Sequence, residues 1–123
     1  MSVTKHERIE SILRHMKHDA EDAIRFAQLA GTYELFLNDE LIRKGVVMSI
    51  INIGELTKQL PDDYKDAHAE IPWKQIAHMR NHAVHGYHSV KLDIVWETAR
   101  ESIPEFLRFV EEQLALYERG ERP

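Results

Sequence analysis

Ile71-Pro72-Trp73-Lys74-Gln75-Ile76-Ala77-His78-Met79-Arg80-Asn81-His82-Ala83-Val84-His85-Gly86-Tyr87-His88-Ser89-Val90-Lys91-Leu92 contains no Asp or Glu. The chain has 21 acids in 123 residues, so a window of this length would hold about four by proportion. Lys74, Arg80 and Lys91 stand there instead, with four of the eight histidines: His78, His82, His85 and His88. An acidic chain has cleared negative charge from one segment and stocked it with donors and titratable rings. That is the composition a phosphate site needs.

At 100° per residue, Trp73, Ile76, Ala77, Ala83, Val84 and Tyr87 form one apolar stripe, which predicts an amphipathic helix. Arg80 falls at the centre of that stripe. A guanidinium there must be paired, reach a wet cleft or face a subunit boundary, because burying it bare is prohibitive. His78, His82 and His85 lie on the opposite face. Pro72 sits near the first helical position, and Gly86 is expected to end the helix. His85 and Tyr87 would be about 200° apart on a continued helix, so a break at Gly86 is what could bring the phenol to the same cleft. Arg80 and His85 are about 140° apart. One copy closes such a site poorly, whereas two facing copies in a twofold dimer would close it.

Working outward, Thr4-x-x-Glu7 reads as a capping box opening a helix to about Ala30, with Gly31 as its stop. Ile9, Ile12, Leu13, Met16, Ala20, Ala23, Ile24 and Ala27 give that helix one apolar face. Thr32 to Leu37 reads as a short connection carrying Tyr33, Leu35 and Phe36. Asn38 is the expected N-cap of a second helix, running from about Asp39 to Leu60. Its apolar residues spread around much of its circumference, the mark of a central element. Gly54 inside it points to a close helix–helix approach, and Glu55 is a candidate partner for Arg80. Pro61-Asp62-Asp63 begins a short turn or helix. Asp93 is the expected cap of a last helix to about Arg119, kinked or interrupted at Pro104. Trp73 and Trp96 read as core anchors. No strand pattern appears, so the expectation is an all-α antiparallel bundle of four to five helices.

Length and composition fit one soluble globular domain over residues 1–123. No apolar run is long enough for a membrane span, and Met1–Glu10 lacks the apolar core of a secretory signal. The absence of Cys excludes disulfides, thiolate metal sites and cysteine nucleophiles, and fits a cytoplasmic protein. A net charge of −5 argues against broad nucleic-acid binding. Any RNA contact must be local, and Ile71–Leu92 is the place for it.

Arg80-Asn81-x-x-x-His85-x-Tyr87 resembles the R-N-x-x-x-H-x-Y signature of HepT-like toxins, members of the HEPN superfamily of all-helical ribonucleases. Four such residues at that spacing arise by chance in roughly one of several thousand chains of this length. Ile71-Pro72-Trp73, Gly54-Glu55 and Val95-Trp96 are similar to the same family, and the resemblance covers nearly the whole chain. It implies a metal-independent endoribonuclease with catalytic Arg80, Asn81 and His85, a homodimer with the site in its cleft, and a 2′,3′-cyclic phosphate product. It also implies that Tyr87 is AMPylated by a minimal nucleotidyltransferase antitoxin (MNT), with ATP as the AMP donor and no cofactor of the toxin's own.

The chemistry is consistent with those residue types. Imidazole titrates near neutrality and suits a general base or acid. Arginine's fork matches two phosphate oxygens and stays charged. Asn81 could hold the imidazole or a phosphate oxygen, and Glu55 and His82 are candidates to support the site from behind. An adenylyl group on Tyr87 would add negative charge and bulk where RNA must enter. His78 and His82, at i, i+4, have a spacing common in zinc sites, but the window supplies no carboxylate, and no metal is expected. The alternatives are a non-catalytic helical partner subunit that binds nucleotide or scaffolds a nucleotidyltransferase, and a metal-binding helical protein.

Overall fold

The computed structural model describes residues 3–85 and 91–121, with the main chain alone for 81–85. Helix α1 spans Lys5–Ala30, α2 Tyr33–Asn38, α3 Glu40–Gln59, α4 Asp62–Ala67 and α5 Trp73–His85. Helix α6 covers Leu92–Glu97, continues through a π-helical segment at Thr98–Ser102, and becomes α7 at Ile103–Glu118. The described residues contain no strand. The architecture is an all-α bundle, as the periodicity predicts.

Side-chain contacts fix how the long elements run. Asp19 of α1 receives a hydrogen bond from Asn52 of α3, while Phe26 covers Gly45, so α1 and α3 are antiparallel. His6 lies against Tyr117, and Arg100 donates to the Gly31 carbonyl, so α1 also opposes the α6–α7 run. Helix α3 thus has α1 on one side and α5 on another, the central place its widely spread apolar residues call for. Two apolar clusters fill the interior. One joins α1, α3, α4, α5 and α7 around Leu13, Met16, Ile53, Trp73 and Phe106. The other joins the end of α1 to α2, α3 and α6 around Phe36, Val46 and Ile50. Within the first, burial pushes the Tyr64 phenol's pKa well above its ordinary value, and its hydroxyl bonds the buried Gln113 amide oxygen at 3.2 Å.

The first helix follows its signals closely. The Thr4 hydroxyl accepts from the Glu7 N–H, and Gly31 at φ 78° returns its N–H to Ala27, a backbone conformation that Gly adopts without a Cβ penalty. Three expectations need correction. Thr32–Leu37 is no plain connection: Thr32 caps Leu35, and the single-turn-and-a-half α2 buries Phe36. The cap of α3 is Asp39, whose carboxylate accepts from Ile42, while Asn38 closes α2 by donating to the Glu34 carbonyl. Lys91 occupies the N-cap of α6, which places Asp93 in the first turn, where its charge still favours the helix dipole.

Pro104 interrupts the last helix in a specific way. In an α-helix its ring would strike the carbonyl four residues back, that of Arg100. The chain widens instead into the π segment, where Ile103 donates to the Thr98 carbonyl five residues back. Among the described residues, no helix is long and apolar enough to cross a membrane.

Candidate active site

Helix α5 is anchored at its start. Trp73 is 8% exposed and meets Phe106 and Phe109 edge-on. Its indole N–H donates to the carbonyls of Lys65 and His68, at 3.1 and 3.0 Å, which ties α5 to the end of α4. This places Trp73 in the core as an anchor rather than on the surface as a stacking platform.

From there α5 runs antiparallel to α3. Trp73 lies near Thr57, Arg80 lies on Gly54, and Met79 reaches the cluster of Val46, Val47 and Ile50. The contact at Gly54 is the closest. A Cβ added there would lie 2.5 Å from Arg80 Cβ and 3.3 Å from the Ile76 carbonyl oxygen. Those distances leave no room for any side chain larger than hydrogen, so Gly54 is the residue that lets the two backbones meet. The close approach anticipated from Gly54 is present, and it occurs at Arg80.

This resolves the cation in the apolar stripe. The Arg80 stem packs on bare backbone at Gly54, and the buried Nε lies against Glu55 Oε1 in an ion pair. The side chains remain 27% and 43% exposed respectively, so the guanidinium reaches the rim of the α3–α5 seam. A pair this exposed contributes on the order of 1 kcal/mol or less to stability. Its structural consequence is orientation, since two adjacent residues of α3 fix both the stem and the head of one arginine.

Asn81, His82 and His85 follow Arg80 on the same helix, one, two and five residues on. The structure places their main chain, while their side chains fall outside the described residues. Gly86, Tyr87 and His88, and with them the expected break and the phenol, also lie outside the described residues. His78 is exposed. No group of three or more His, Asp or Glu among the described residues has the placement to hold a metal ion.

A model of the ribonuclease HepT-like family matches residues 7–113. The chain belongs to the HepT-like ribonuclease family. This HepT-like chain is 39% identical over 103 residues to a protein of Caldanaerobacter subterraneus subsp. tengcongensis named "Putative RNase", an alignment covering 83% of the chain and 90% of that protein. It is 39% identical over 72 residues to the "Probable ribonuclease HepT" of Thermococcus cleftensis, covering 58% and 66%. A "Putative RNase" of Methanocaldococcus jannaschii is 36% identical over 97 residues, covering 79% of each. No solved structure matches.

Two features of this HepT-like site were beyond the sequence. Glu55 as a partner for Arg80 could be named but not distinguished from a solvated glutamate, because a charge on a helix does not reveal which neighbour faces it. Lys58 and Lys65 line an open depression at the start of α5 together with Lys74. They are separated along the chain and only the folded α3–α4–α5 arrangement brings them together.

Proposed function

We propose that this chain is a HepT-type toxin, a metal-independent endoribonuclease that cuts RNA by attack of the 2′-OH on the adjacent phosphorus. The base removes the 2′-OH proton, the O2′–P bond forms, and the P–O5′ bond breaks as the leaving oxygen gains a proton. The products are a 2′,3′-cyclic phosphate and a 5′-hydroxyl. His85 serves as the acid–base group, Arg80 stabilises the pentavalent phosphorane, and Asn81 holds the imidazole or a phosphate oxygen.

The observation that carries this reading is the seating of Arg80. Gly54 and Glu55 hold its stem and Nε while the head stays at the rim of the seam. A pre-oriented guanidinium loses less freedom on engaging a phosphate than a mobile one. The chain acts as a twofold homodimer, which supplies the second copy that the 140° separation of Arg80 and His85 on one helix requires. Support for that pairing comes from Leu41 and Met48, two exposed apolar residues in the half of α3 toward which α5 runs after Arg80. A minimal nucleotidyltransferase silences the toxin by transferring AMP from ATP to Tyr87.

The test is cleavage of RNA in EDTA. Wild type is expected to cut, and Arg80→Ala and His85→Ala to lose at least a hundredfold in rate, the range for an acid–base or transition-state-stabilising group. Full activity in both variants would end the assignment. A second arm co-expresses the transferase and reads the mass of the peptide carrying Tyr87. Neutralised protein with an unmodified Tyr87 would mean that inhibition takes another route.

A further inference from the structure

Beside the start of α5, helices α3, α4 and α5 enclose an open depression of about 740 Å³. Lys58 of α3, Lys65 of α4 and Lys74 of α5 line it, with the apolar Pro72 and Ala77 among them and with Asp62 and Asp66. Three ammonium groups against two carboxylates make a locally positive surface on a chain of net charge −5. Helix α5 adds no acid in its first turn.

The three lysines are not equivalent. Lys65 is committed to the protein: its Nζ lies 3.6 Å from Asp62 Oδ1 and donates to the Thr57 carbonyl at 3.4 Å. Lys58 and Lys74 are exposed and make no ion pair among the described residues. Two uncommitted cations therefore face one depression from two different helices.

Its position links it to Arg80. Ala77 precedes Arg80 by three residues and Lys58 follows Glu55 by three, so each is a neighbour on its helix surface. The depression thus opens beside the Arg80–Glu55 pair. Lys74 is about 9 Å from Arg80 along the helix axis and about 120° around it, a separation that a strand crossing the face of α5 spans over a few nucleotides.

We propose that this depression is a subsite for the RNA backbone, in which Lys58 and Lys74 hold phosphates of the strand a few nucleotides from the one Arg80 engages. The inference rests on the ribonuclease reading and adds the track by which the strand is held. Ammonium groups grip phosphate as point charges without reading bases, so the subsite strengthens binding without setting sequence preference. It also lets an acidic protein bind RNA through one local surface.

The test uses the full chain and a 2′-O-methyl RNA decamer, which binds but has no free 2′-OH to attack. Affinity is measured across a salt series for wild type, Lys58→Gln/Lys74→Gln, Lys58→Arg/Lys74→Arg, and the equal-charge control Arg8→Gln/Arg108→Gln. The Gln pair is expected to bind about five- to twentyfold more weakly at low salt, with the slope of log K against log salt smaller by about 1.4 for two lost contacts to a single strand. The Arg pair and the control, whose two residues do not line the depression, should keep the wild-type slope. A Gln pair with wild-type affinity and slope, in a protein that cleaves RNA, overturns the subsite and leaves the ribonuclease reading standing. Wild type that neither binds the decamer nor cleaves RNA overturns both.

Discussion

Gly54 is where a single missing methyl group shapes the site. An added Cβ would come within 2.5 Å of Arg80 Cβ, and the second obstacle, at 3.3 Å, is the Ile76 carbonyl. Backbone on one side and the root of a side chain on the other cannot swing away, so Gly54→Ala must push α5 off α3. Overpacking of this kind costs about 1–3 kcal/mol, while replacing a mid-helix Gly by Ala returns up to about 1 kcal/mol. The expected net is a loss of up to about 2 kcal/mol, read as a lower midpoint in urea with an unchanged slope. The displacement should also loosen the Arg80–Glu55 pair and reduce RNA cleavage by more than the stability loss accounts for. A Gly54→Ala variant more stable than wild type would show that propensity outweighs contact and that the approach is looser than it looks. Gly45 makes a useful contrast, because there the neighbour is the half-buried Phe26 ring, a side chain rather than backbone.

At the scale of elements, the π segment at Thr98–Ser102 accommodates Pro104 and keeps α6 and α7 in one continuous run against α1. Arg100, which projects from this segment, lies over the Trp96 ring at 5.2 Å and donates to the Gly31 carbonyl at the end of α1. A proline inside a regular helix costs about 3 kcal/mol relative to Ala. Here the register change has already removed the clash, so Pro104→Ala should change stability by less than about 1 kcal/mol, measured by denaturant titration. A gain near the full helix-interior value would mean the π turn is forced by the proline and held under strain. The same segment shows what a sequence can and cannot disclose about elements. Thr4, Gly31, Gly54 and Pro104 announce a cap, a stop, a close approach and an interruption, because each acts through its own backbone or its nearest turn. The form of the interruption depends on how both halves pack on α1. Likewise, Thr32 capping α2 and Asp39 displacing Asn38 as the α3 cap depend on where Phe36 finds a pocket. Arg80's seat was half legible: the stripe demanded a partner, and only the antiparallel pairing of α3 with α5 selects Glu55 for it.

Across the whole molecule, the question is whether one chain carries a complete site. Arg80 and His85 belong to a helix that is continuous through His85, and five residues of α-helix rotate successive positions by about 140° net. Two groups so directed address one phosphate most simply when the arginine comes from one copy and the imidazole from the other. Mixing inactive variants tests this directly. In a heterodimer of Arg80→Ala with His85→Ala, a shared site finds its arginine on one subunit and its imidazole on the other, so one of its two sites is whole. Random exchange makes half the dimers mixed, so an equimolar mixture should recover about a quarter of wild-type activity if sites are shared across a twofold interface. If each chain uses its own Arg80 and His85, every site in the mixture lacks one of them and no activity returns. Subunit exchange is confirmed first with differently tagged copies, so that a silent mixture is decisive: it would place both groups in one protomer, and the helix after Arg80 would then have to bend to bring them together.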